Sequence, residues 1–198
     1  MSGPIPLDTI SKSLLKGTKN AFQRYDYGAA CWLGHAPESF IQSMIFIELT
    51  QKLGIGVTLE DSPSKLSGYG CKVPPERKTK TTNASRFDII GWYSKEEPRF
   101  IAEVKIVRSS LDGAVEDANR ITRWIGKGNG HMQAGFLVLY TELKSEEEIR
   151  ERFQKIATHK QGQYEGTIKN LHITKPEDGG YRGGMCVIRI KKKRRTKR

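Results

Sequence analysis

Two runs of apolar, β-branched and aromatic residues, Phe87–Tyr93 and Pro98–Val107, flank the polar stretch Ser94–Glu97. That pattern predicts a β-hairpin. With Tyr93 and Pro98 as the closing pair, Asp88 falls opposite Glu103. Directly opposed residues share a face, with Cβ atoms roughly 4.5–5.5 Å apart. Lys105 lies two residues beyond Glu103 and points the same way. The spacing therefore brings two carboxylates and an ammonium to one side of a hairpin.

The remaining periodicities predict helices and further strands. Glu38–Gly54 reads as a helix, with Ile41, Met44, Ile45, Glu48 and Lys52 on one stripe and Gly54 as its stop. Leu7–Tyr25, Ser110–Ile125 and Ser145–His159 also have helical spacing. Strands are expected at Gly56–Glu60, Gly135–Tyr140, Asn170–Thr174 and Met185–Lys191, the last two extending the sheet or forming an accessory element. Helix Ser110–Ile125 should bury Leu111, Ala114, Val115, Ala118, Ile121 and Ile125 and carry Arg120, Arg123 and Lys127 on its other side. The chain has no internal repeat.

Adjacent acids repel and resist joint ionisation unless a positive group lies between them. A hard cation such as Mg²⁺ removes that conflict, since it prefers carboxylate and water oxygens. A lysine at the rim of such a site orients or helps deprotonate a water, or stabilises charge on a phosphorane. The alternative is a hairpin with a structural Asp–Lys or Glu–Lys pair. Glu48 sits on the apolar stripe of its helix, where a carboxylate is costly unless it is paired or bound to a cation. It either joins the metal site or forms an inward salt bridge.

The order helix with Glu48, three strands, helix, strand, with Asp-x14-Glu-x-Lys on the second and third strands, resembles the PD-(D/E)XK, or restriction-endonuclease-like, nuclease superfamily. The resemblance covers about residues 36 to 142, and Phe87 stands where many members have proline. It implies an α/β fold, a mixed central sheet flanked by helices around an α-β-β-β-α-β core. Residues 1–35 would then be an N-terminal helical extension, 143–190 a helix and strands completing the domain, and 191–198 a basic tail. It also implies a Mg²⁺- or Mn²⁺-dependent deoxyribonuclease. Asp88, Glu103 and the Val104 carbonyl would hold the metal, Lys105 would assist the attacking water, and Glu48 would hold a water or a second metal. DNA is the implied partner, with a homodimer plausible by analogy. A non-catalytic nucleic-acid-binding or assembly module and an RNA-directed nuclease remain open.

Composition bounds the reading. The 198 residues suffice for one domain. No segment approaches the length of a membrane helix, and the N-terminus lacks a basic and apolar signal pattern. Cys31, Cys71 and Cys186 are odd in number and scattered, which points to reduced thiols in the cytoplasm. Cys31 and His35 have no second ligand pair for zinc. The net charge of +12 favours polyanions. Removing the seven positive charges of the run Lys191–Arg198 still leaves five. That run is of the disordered kind and also fits a nuclear localisation signal. The stretch from Ser62 to Ser85, rich in proline, glycine, lysine and arginine, should lie at the rim of the site. The candidate nucleic-acid contacts are Lys72, Arg77, Lys78, Lys80 and Arg86 there, with Arg120, Arg123 and Lys127 on the helix. The glycines of Gly126–Gly130 lack P-loop spacing, and the histidines are unclustered.

Overall fold

The computed structural model describes residues 4–29, 31–62, 66, 86–94, 97–125, 132–160, 162–176 and 178–192. Helix α1 (Leu7–Ala29) and helix α2 (Glu38–Ile47) come first, joined by the short turn Leu33–His35. Strands β1 (Gly56–Asp61), β2 (Phe87–Ser94) and β3 (Glu97–Ile106) follow. Then come α3 (Asp112–Trp124), β4 (Ala134–Leu143), α4 (Glu146–Ala157), β5 (Tyr164–Ile173) and β6 (Arg182–Lys192).

The six strands form one mixed sheet in the order β1-β2-β3-β4-β6-β5. Only the β3–β4 neighbours run parallel, and α3 makes the crossover between them. Alternation along the central strands feeds two cores. Ile101, Leu137, Leu139 and Ile188 point toward α3 and α4. Phe100, Val104, Phe136, Val138 and Val187 point toward α1 and α2. The chain is thus α/β, with a mixed sheet covered on both faces by helices.

Gly135 lets α3 settle close to the sheet, because a Cβ there would overlap the Cγ2 of Ile121. The α3 residues next to Ile121 are thereby brought to the strands. α4 starts with a capping box: Ser145 Oγ accepts the Glu148 N–H at 3.1 Å, and the Glu148 carboxylate accepts the Ser145 N–H at 3.2 Å.

Several boundaries differ from the sequence reading. The second helix is α-helical only to Ile47 and then widens into a π-turn over Glu48–Lys52. Gly54, at φ 64°, still provides the left-handed stop. Helix α1 buries Ile10, Leu14, Ala21 and Phe22 in the core beneath the sheet. The late strands are longer than expected and belong to the main sheet, with β6 inserted between β4 and β5. As an edge strand β5 stays half exposed, so polar residues such as Glu165 and Lys169 dilute its apolar signal. Most of the 62–85 stretch, the Gly126–Gly130 segment and residues 193–198 lie outside the described residues. No described helix is long and apolar enough to cross a membrane.

Candidate active site

Strands β2 and β3 pair with Ile89 opposite Ala102, Ile90 opposite Ile101 and Gly91 opposite Phe100. One step further along this register puts Asp88 opposite Glu103, as the hairpin reading expects. The turn itself differs. Trp92 pairs with Pro98 and Ser94 with Glu97, through two register shifts. The shifts cancel, so counting from the turn still reaches the correct partner. Beyond them, the Asp88 carboxylate accepts the Val104 N–H at 2.7 Å and ties the two strands together at the site.

Helices supply the rest. Lys105 Nζ lies 3.1 Å from the Glu38 carboxylate at the start of α2 and 3.8 Å from that of Asp117 on α3. The other Glu38 oxygen accepts the Ile106 N–H at 2.9 Å, which fixes α2 to the end of β3. Arg120 Nη2 lies 2.7 Å from Glu103 Oε2 and 3.2 Å from Asp117 Oδ1. Four carboxylates thus face two cations, which leaves two negative charges uncompensated when all are ionised. Glu60 adds a further acid to the field around Asp88. By the β1–β2 register it sits across from Asp88, and it alone among the described non-glycine residues has positive φ, at 54°.

Burial and repulsion act on these acids together. Burial, followed among the raising causes by Asp117 and Glu60, pushes Asp88 up to about 6. Burial and the adjacent Asp88 raise Glu103 well above the usual carboxylate range, against the pull of Arg120. Burial works against the charge on Lys105, but Asp117, Glu38 and Asp88 outweigh it and hold its pKa above the ordinary value. Lys105 is therefore a firm cation at neutral pH. It suits electrostatic stabilisation and orientation of a water better than proton abstraction.

The donor set suits a hard divalent cation. Glu103 is fully buried; Arg120 engages its Oε2 at 2.7 Å, and its Oε1 has no hydrogen-bond partner. Buried polar atoms are rarely left in that state. An ion held by Asp88 and Glu103 would satisfy that oxygen and offset the excess negative charge. Among the described residues, no three His, Cys, Asp or Glu side chains already stand as a metal-ligand group.

Glu48 is not brought to this cluster. It is buried, as its place on the apolar stripe implies, but pairs with Lys16 of α1 at 3.0 Å and with Asn20 at 3.5 Å. Ten residues of helix, about 15 Å of rise, separate it from Glu38. The helix acid beside the strands is thus Glu38. Arg120 is also corrected: it turns inward to Glu103 and leaves the exposed basic stripe, whereas Arg123 stays exposed. Arg86 is exposed immediately before β2. Lys72, Arg77, Lys78, Lys80 and Lys127 lie outside the described residues. Sequence reasoning missed Glu38 and Asp117. The available signals were an acid in the first turn of α2 and an acid three residues before Arg120.

No family model matches the chain, and neither a curated protein nor a solved structure matches it.

The raised pKa of Asp88 has two opposite consequences. The native state holds this proton more tightly than the unfolded chain does. In metal-free buffer, stability should therefore fall as pH rises from the ordinary carboxylate range to about 6, and level off above it. Cation affinity should run the other way and weaken as pH drops below about 6, because the ion competes with the proton. Calorimetric titration with Mn²⁺ on both sides of that pH checks this. Equal affinities on the two sides would remove Asp88 from the ligand set.

Proposed function

We propose that this chain is a divalent-cation-dependent nuclease of restriction-endonuclease-like architecture that hydrolyses phosphodiester bonds in DNA. One observation carries the reading: the fully buried Glu103 carboxylate keeps one oxygen, Oε1, without a partner, next to Asp88 and on the same face as Lys105. Asp88, Glu103 and the Val104 carbonyl would hold Mg²⁺ or Mn²⁺. Such an ion lowers the pKa of a bound water and offsets charge on the phosphate. Lys105, kept protonated by Asp117 and Glu38, places its ammonium where negative charge develops. Glu38 and Asp117 position Lys105. The basic chain favours a polyanionic substrate, and a homodimer would let two such sites cut opposite strands.

A second reading has its own observation. Arg120 already lies against Glu103 and supplies a cation without any metal, as in a module that binds nucleic acid and does not cut it. Incubating the full chain with plasmid, linear duplex, single-stranded DNA and RNA, in Mg²⁺, Mn²⁺ or chelator, separates the two. Cleavage of DNA that stops on chelation is the expected result. A metal-independent mobility shift with intact substrate would favour the module. Cutting confined to RNA would move the substrate assignment.

A further inference from the structure

Past the far end of β3 lies a cavity of about 580 Å³, lined by Gly34, His35, Arg108, Tyr140, Thr141 and Glu142 among others. Ile106 lines it too, and the same residue donates its N–H to the Glu38 that holds Lys105. The cavity wall is built. Glu142 Oε1 accepts both the Gly34 N–H and the Tyr140 hydroxyl at 2.8 Å. A Cβ at Gly34 would come within 2.7 Å of that oxygen and push the Glu142 carboxylate aside. Arg108 Nη2 donates to the Gly34 carbonyl at 2.9 Å, and Arg152 donates to the Arg108 carbonyl.

Glu142 keeps its negative charge, but Arg108 and Arg152 together outweigh it. Arg108 is exposed at the cavity, Arg152 stands behind it, and His35 is exposed. Two aromatic rings lie near its wall without lining it. Trp32 immediately precedes the Leu33–His35 turn, and its ring meets that of Tyr181 edge-on at 6.4 Å. Lys144, two residues past Glu142, lies 5.6 Å from the Tyr181 ring. Tyr181 is 42% exposed, far more than a core aromatic. Arginine for a phosphate and exposed rings for a base are the parts from which single-strand subsites are made. A recess of this volume has room for one splayed nucleotide and none for a duplex.

We propose that this cavity takes one unpaired nucleotide of the DNA strand, with its phosphate at Arg108 and its base against the Trp32–Tyr181 pair. The inference rests on the nuclease reading for its substrate class, but binding alone tests it. Lys105→Ala protein in chelator keeps cleavage out of the measurement. Trp92 and Trp124 are buried and Trp32 is half-buried, so Trp32 is the tryptophan a ligand can reach. Oligothymidylate should quench tryptophan emission saturably, and a blunt duplex of the same length should do so much less. In anisotropy titrations with labelled strand, Trp32→Ala should weaken single-strand binding by about 5- to 150-fold. Arg108→Ala should weaken it too and lower its salt dependence. Arg108→Lys keeps a cation at that position if the alanine variant does not fold. Single-strand affinity unchanged in the Trp32 and Arg108 variants, duplex binding as tight as single-strand binding, or no binding to either would each overturn the proposal. The nuclease reading would then still stand or fall on the plasmid assay.

Discussion

Asp88→Ala and Lys105→Ala proteins should each lose DNA cleavage by at least roughly 10²–10³-fold, the scale seen when one preorganised charge-stabilising group is removed. Their stabilities should move in opposite directions. Asp88 contributes one short bond, to the Val104 N–H, and stands next to a buried acid it repels. Removing it relieves Glu103, so the metal-free variant should melt no lower than the parent. Lys105 lies between Glu38 and Asp117 and is held charged by them. Removing it leaves those acids facing each other, so this variant should melt lower. Equal loss of activity with opposed stability shifts is hard to explain by unfolding. Circular dichroism melts alongside plasmid cleavage give both numbers. Parent-level cutting by either purified variant sinks the assignment.

The acid–acid–lysine set was legible in the sequence because strand alternation has a strict period of two. Hairpin register then needs only a turn position, and here two local shifts cancel before Asp88 is reached. The helix acid was not legible in the same way. Periodicity correctly marks Glu48 as inward-facing, but it cannot say which partner lies across from a helix. α1 happened to present Lys16 there. Glu38 reaches the site because the start of α2 sits over the end of β3, a placement fixed by packing between segments distant in sequence. Arg120 and Asp117 border the apolar stripe of α3, where a charged residue that faces solvent and one that faces a buried acid share the same helical phase. The close seat of α3 on Gly135 decides between them.

Arg120→Ala should be among the most destabilising single changes at the site, and divalent cations should reverse much of the loss. The guanidinium lies against a fully buried carboxylate. Removing one partner of a buried pair costs about 3–5 kcal/mol, because the other charge is left uncompensated. Glu103 can escape part of that cost by taking up a proton, which its raised pKa favours. The deficit should therefore be larger above neutrality than in mild acid. If Asp88 and Glu103 bind a cation, Mn²⁺ supplies the charge that Arg120 no longer does. At a hundredfold excess over its dissociation constant, such a ligand adds about 2.7 kcal/mol. The ion also no longer shares Glu103 with the arginine, so the variant should bind it more tightly than the parent. Thermal melts of parent and variant across a Mn²⁺ titration measure both effects. A shift no larger in the variant than in the parent would mean that Arg120 is the permanent counter-ion of Glu103, and the cation would then have to be placed elsewhere.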